Sequence, residues 1–167
     1  MPHRPLSAET DPNRLLLVVT GTTLLAEQQD RPTAGALRDR IRSWRARELD
    51  AEDLLVPVVV ADLWYLNQPE LLRQPAVVLG SPTSNAATAA FASTLPTALA
   101  VEGRLQICMD PELVDLRACL WGASPETNGD AVAAFEERYL SDFLRAAHDL
   151  SWGDELRTTD RPPDASP

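Results

Sequence analysis

Four short apolar runs punctuate the chain. Leu15-Leu16-Leu17-Val18-Val19 closes at Thr20-Gly21, and Leu54 to Ala61 (LLVPVVVA) closes at Asp62. Ala76 to Leu79 closes at Gly80, and Leu116 to Trp121 closes at Gly122. The first, a continuous apolar run ended by a turn signal, reads as a strand buried on both faces; the third reads as a buried strand, and the second and the last, which Arg117 interrupts, read as further strands. Pro57 lies inside the second run. It removes a ladder donor, which places that strand at a sheet edge.

The segments between the runs carry helical spacing. From Thr33 onward, Ala36, Leu37, Ile41, Trp44 and Leu49 fall near one face, and Arg38, Arg42 and Arg45 fall on another. Pro32 and Thr33 suit the N-terminus of that helix. Asp62 to Gln74 leaves room for a short helix near Pro69. Ser84 or Asn85 caps an alanine-rich helix from Ala86 to about Leu95, stopped by Pro96. Thr97 to Val101 and Arg104 to Met109 flank Glu102-Gly103 and read as a hairpin. In the last helix, begun at Ser124-Pro125 or Thr127, Val132, Phe135, Tyr139, Phe143, Leu144 and Ala147 share a face.

This alternation predicts an α/β fold in three layers. The expected sheet is open and largely parallel, its first three strands in the order 2-1-3, with a smaller antiparallel hairpin addition. The link from Asp110 to Asp115 is too short for a parallel crossover. The last strands are therefore expected to be antiparallel unless that link leads out of the sheet. A single domain is expected over residues 14–152. Residues 1–13 and the acidic, proline-rich residues 153–167 read as disordered tails.

Composition narrows the chemistry. The 167 residues carry 25 acidic and 15 basic side chains, a formal charge of −10, and every basic residue is arginine. Such a surface repels phosphate backbones and argues against nucleic-acid or anionic-membrane partners. The absence of lysine removes Schiff-base chemistry and the P-loop lysine. Two histidines, His3 and His148, cannot build a multi-histidine metal site, and Cys108 and Cys119 are too few for a disulfide framework. The two cysteines fall on adjacent predicted strands and read as buried thiols. No metal site is expected. Met1 to Asn13 lacks a secretory pattern, no apolar run is long enough to span a membrane, and a cytoplasmic location is the expectation.

In an open α/β sheet, ligands sit beyond the carboxyl ends of the strands. The loops that would meet there are Thr20-Gly21-Thr22-Thr23, Asp62-Leu63-Trp64-Tyr65-Leu66-Asn67 and Gly80-Ser81-Pro82-Thr83-Ser84-Asn85. If the last strand runs the same way, it adds Trp121-Gly122-Ala123-Ser124. Glycine with several hydroxyls at a helix N-terminus makes an anion pocket, although turns and caps call for the same residues without any ligand.

Thr20-Gly21-Thr22-Thr23 resembles the T-G-x-T phosphate loop of flavodoxin-like proteins. Gly80-Ser81-Pro82-Thr83 is similar to the G-S-P-T stretch after their third strand. The resemblance covers about Leu15 to Leu95. It implies a crevice for FMN, with Thr20, Thr22 and Thr23 at the phosphate and Trp64 or Tyr65 against the ring. Two departures stand out: Leu24 to Arg31 reads as a loop before the helix, either a lid over the crevice or a surface insertion, and the hairpin region after Val101 is unlike the regular later strands of that family.

Two functions from different classes follow. The first is a non-catalytic interaction or accessory module, with the Arg38, Arg42 and Arg45 row as a strip for an acidic protein partner. The second is a binder of FMN or another phosphorylated small molecule, with a redox role. Its site would comprise Thr20, Gly21, Thr22, Thr23, Asp62, Trp64, Tyr65, Gly80, Ser81, Thr83, Ser84 and Asn85. No catalytic set is evident, and no G-x-S-x-G elbow is present.

Overall fold

A computed structural model of the chain describes residues 12–49 and 55–159. Six strands, β1 (Leu15–Thr20), β2 (Val56–Ala61), β3 (Ala76–Leu79), β4 (Thr97–Val101), β5 (Leu105–Met109) and β6 (Arg117–Gly122), form one sheet in the order β2-β1-β3-β6-β5-β4. Five α-helices accompany them: α1 (Leu24–Glu48), α2 (Asp62–Leu66), α3 (Ala86–Phe91), α4 (Asn128–Arg138) and α5 (Leu140–Thr159).

The sheet is mixed rather than largely parallel. β1 pairs in parallel with β2 and β3, and β3 with β6, whereas β5 is antiparallel to both β6 and β4. The reason lies in the order of the chain. The segment after β3 carries the backbone past two strand positions to β4, and β5 and β6 then fold back into the vacant places. The short link after β5 does reverse the chain, as its length requires. The returning strand nevertheless comes to rest beside β3 and runs parallel to it. The hairpin is therefore the far border of one sheet and not an addition to it.

Alternation along the strands sends side chains to two cores. Leu16 and Val18 join Leu37, Ile41 and Trp44 of α1, Val132 and Phe135 of α4, and Phe143 and Leu144 of α5. Leu17 and Val19 face the other way, toward Tyr65 of α2, Leu71, Ala87 of α3 and Cys119. β3 is buried along its whole length, as its unbroken apolar run predicts.

Both borders of the sheet carry an interruption. Pro57 stands in β2, an edge strand as predicted. In β4 the register shifts between Thr97 and Leu99, and the Ala98 carbonyl there accepts a hydrogen bond from Tyr139 Oη at 3.3 Å.

Two helices differ from expectation. α1 begins at Leu24, so the predicted loop from Leu24 to Arg31 is helical and no lid exists there. Thr23 caps it, its side chain accepting from the Ala26 N–H at 3.1 Å. Pro32 lies inside the helix on an exposed position, where water can take over the carbonyl whose donor proline lacks. The predicted last helix is two. Tyr139 leaves helical geometry (φ −127°, ψ −24°) between α4 and α5. α5 then continues through Thr159, into the stretch read as the C-terminal tail. Residues 1–11 and 160–167, the remainder of the two predicted tails, lie outside the described residues, as does Leu54.

Candidate functional site

The carboxyl ends of the parallel strands β1, β2, β3 and β6 share one rim. The loops after β1 and β3 touch there. A Cβ placed on Gly21 would run into the Ser84 carbonyl oxygen, so glycine is what lets the two backbones meet. Gly80 has φ +116°, a conformation that disfavours any side chain. The backbone of the second loop thus lies directly against Gly21.

Most polar groups of these loops are spent on each other. Asn85 is buried and saturated. Its Nδ2 donates to the carbonyls of Leu79 (2.7 Å) and Val19 (3.3 Å), and its Oδ1 accepts from the N–H groups of Ala87 (2.9 Å) and Thr88 (3.3 Å). Thr88 Oγ1 donates to the Gly80 carbonyl at 2.8 Å. Asp62 is buried, and its Oδ1 and Oδ2 accept from the N–H groups of Leu63 and Ala86, each at 2.7 Å. It ties the start of α2 to the start of α3, which is a positioning task and not an acid's. Ser81 Oγ lies 2.9 Å from Thr83 Oγ1 and 3.3 Å from Ser84 Oγ, so these three hydroxyls form a chain within their own turn. Thr20 is buried beneath the rim and its Oγ1 finds no partner. Thr22 and Thr23 stay exposed.

The aromatic candidates divide. Tyr65 is fully buried and stands edge-on to Phe91, ring centroids 6.1 Å apart. Burial pushes its phenol up to about 12, and its hydroxyl has no partner. A ring ligand cannot reach it, so it does not serve as the expected stacking platform. Trp64, one residue earlier, is 53% exposed. Leu63 is exposed next to it on the first turn of α2, and Leu24 (75%) and Leu25 are exposed on the first turn of α1, which packs on the other face of the sheet; the two helices leave from paired strand ends, Thr20 opposite Ala61.

Sequence reasoning missed a buried polar bridge under this rim. Asp30 of α1 accepts from Asn128 Nδ2 at 2.8 Å, and Asn128 Oδ1 accepts from the Gly122 N–H at 2.9 Å. The second Asp30 oxygen lies against the space in which a Gly80 side chain would stand. Burial raises the Asp30 carboxyl above its ordinary value, and the Asn128 hydrogen bond partly opposes this. The signal was available. Asp30, Ala34, Leu37, Ile41 and Trp44 recur at helical spacing, so extending α1 back past Pro32 puts Asp30 on the apolar face.

The arginine row does not form a free strip. Arg38 and Arg42 both lean on Asp39 (3.1 and 3.7 Å), and Arg45 Nη1 donates to the Leu55 carbonyl at 2.7 Å. Cys108 and Cys119 face each other in register across β5 and β6 as buried free thiols. Among the described residues no His/Cys/Asp/Glu group could hold a metal ion, and no helix is long and apolar enough to cross a membrane. Comparison with family models, curated proteins and solved structures returns no match.

Proposed function

We propose that the chain is a non-catalytic interaction module that docks a protein partner through the apolar end of its sheet. The observation that carries this is a division of labour at the rim. The buried polar groups that a catalytic or anion site would need hold the loops to one another. What the rim offers outward is Leu24, Leu25, Leu63 and Trp64. These are four of the eight large apolar side chains exposed among the described residues, and all four follow the carboxyl ends of the paired strands β1 and β2. Apolar exposure concentrated at one end of a sheet favours an association surface, and tryptophan is enriched at the centres of such surfaces.

The test is photo-crosslinking from position 64 in the source cell. The expected result is a discrete adduct with one protein that vanishes when Leu24 and Leu63 are both changed to serine. Adducts that persist unchanged in that variant overturn the proposal.

A second reading, a binder of FMN or another phosphorylated small molecule, is favoured by one observation. The Gly21-Thr22-Thr23 turn enters α1 directly, with no loop between. Free N–H groups at the start of a long helix attract anions. A native mass spectrum of the full chain and melting curves with FMN, nucleotides and sugar phosphates decide between the two. A retained small molecule or a raised Tm supports this second reading, because a ligand of the native state must stabilise it. No retained mass and no shift leaves the interaction module.

A further inference from the structure

A second surface lies at the opposite end of the strands and does not depend on the rim. Pro75 precedes β3 and Leu116 precedes β6, and between these strand starts and α5 opens a groove of about 400 Å³. Leu72, Val114 and Leu150 form its apolar walls, all three exposed, Val114 at 83%.

This groove is built rather than incidental. The Asp110 carboxylate accepts from the N–H groups of Glu112 (2.9 Å), Val114 (3.0 Å) and Asp115 (3.1 Å) and fixes the loop before β6. Within that loop Leu113 takes φ +56°, the only positive φ at a non-glycine among the described residues. Such a conformation is strained and persists only where the surroundings enforce it. Its effect is to pack Leu113 against the main core while Val114 is held out in water. A chain under no other demand would avoid both the strain and the exposure.

The charges of the groove name its occupant. Asp115 and Arg117 neutralise each other through a two-pronged pair (2.8 and 2.5 Å). Arg73, on the groove wall, forms no ion pair among the described residues. One uncompensated guanidinium beside apolar walls calls for an apolar side chain next to a carboxylate. The walls are themselves half open to solvent. A small ligand would be left wet, whereas sites for small molecules enclose most of their guest.

We propose that this groove docks a segment of a protein partner carrying an acidic side chain beside branched apolar ones. The test is NMR titration of the full ¹⁵N-labelled chain with the capped peptide acetyl-Gly-Glu-Leu-Leu-Gly-amide. Saturable shifts are expected at the amides of Leu72–Gln74, Val114–Arg117 and Leu150. Arg73→Glu weakens binding at least about tenfold, as one lost charge-assisted contact predicts, and the lysine-for-glutamate peptide then binds the variant better than the original. Val114→Ser weakens binding while leaving the circular dichroism spectrum unchanged. Absence of saturable shifts at millimolar peptide overturns the proposal, as do shifts confined to Leu24, Leu63 and Trp64. Equal or tighter binding of octanoate at the same amides overturns it in favour of small carboxylates.

Discussion

Asp30 and Asn128 stand 98 residues apart in the chain and meet at 2.8 Å beneath the rim of the sheet. Through Asn128 the bond reaches the Gly122 N–H, so one carboxyl links α1, the end of β6 and the start of α4. Because burial raises the Asp30 pKa, the folded state holds its proton more tightly than the unfolded chain does. The contribution of this group is complete below the ordinary carboxylate range and declines as pH climbs through its raised value. Asp30→Asn retains the acceptor for Asn128 and cannot ionise. Urea unfolding as a function of pH should show that this variant loses the decline. Asp30→Ala leaves the Asn128 amide unpaired and should cost about 1–3 kcal/mol.

Gly21 and Gly122 test the contact between loops. A Cβ on Gly21 meets the Ser84 carbonyl, and one on Gly122 meets Thr127. Gly21→Ala and Gly122→Ala should each destabilise the fold by about 1–3 kcal/mol, the range of overpacking. Gly35, with open space around it, provides the control, and Gly35→Ala should be neutral or stabilising. Chemical denaturation midpoints at an unchanged m-value would measure the three.

Tyr65 buries a hydroxyl that bonds to nothing. Tyr65→Phe removes the cost of stripping water from that group and keeps the ring against Phe91. The variant should be as stable as the parent or more stable by about 1 kcal/mol. A lower melting temperature would show that the hydroxyl has a partner in solution.

Cys119 is pushed up to about 12, first by burial and then by the neighbouring Cys108. A thiol held in its protonated form is a poor nucleophile. Neither cysteine should react with a thiol reagent such as DTNB in the native protein at pH 8, and both should titrate once guanidinium unfolds it. Rapid native-state reaction would contradict the burial.

At the apolar rim, Trp64→Ser and Leu24→Ser remove side chains that are more than half exposed. Each should alter stability by no more than about 0.5 kcal/mol, as expected for surface positions free of special roles. Intrinsic fluorescence of the Trp64 variant during unfolding would check this directly.

The fold was legible where local chemistry and packing agree. The apolar run of β3, the cap at Asn85 and the turn at Glu102-Gly103 each have one structural meaning. α1 was misread because Pro32 is a strong local stop, and an exposed position in a long helix tolerates what a buried one would not. The single final helix was misread because Tyr139 fits the apolar periodicity, yet its hydroxyl is drawn to the Ala98 carbonyl of a distant strand. The mixed sheet follows from where β6 comes to rest, a matter of long-range packing that no short window records. At the candidate site, Thr20, Gly21, Gly80 and Ser84 do converge. What their spacing did not reveal is how closely the two loops pack on each other.

Pro57 and the register shift at Ala98 bear on how the molecule behaves in company. An unguarded flank invites a neighbour to zip on, and from there fibrils grow. Here one flank lacks a donor and the other is bent and capped by a tyrosine. Crowding should therefore not drive copies of this chain to pair edge to edge.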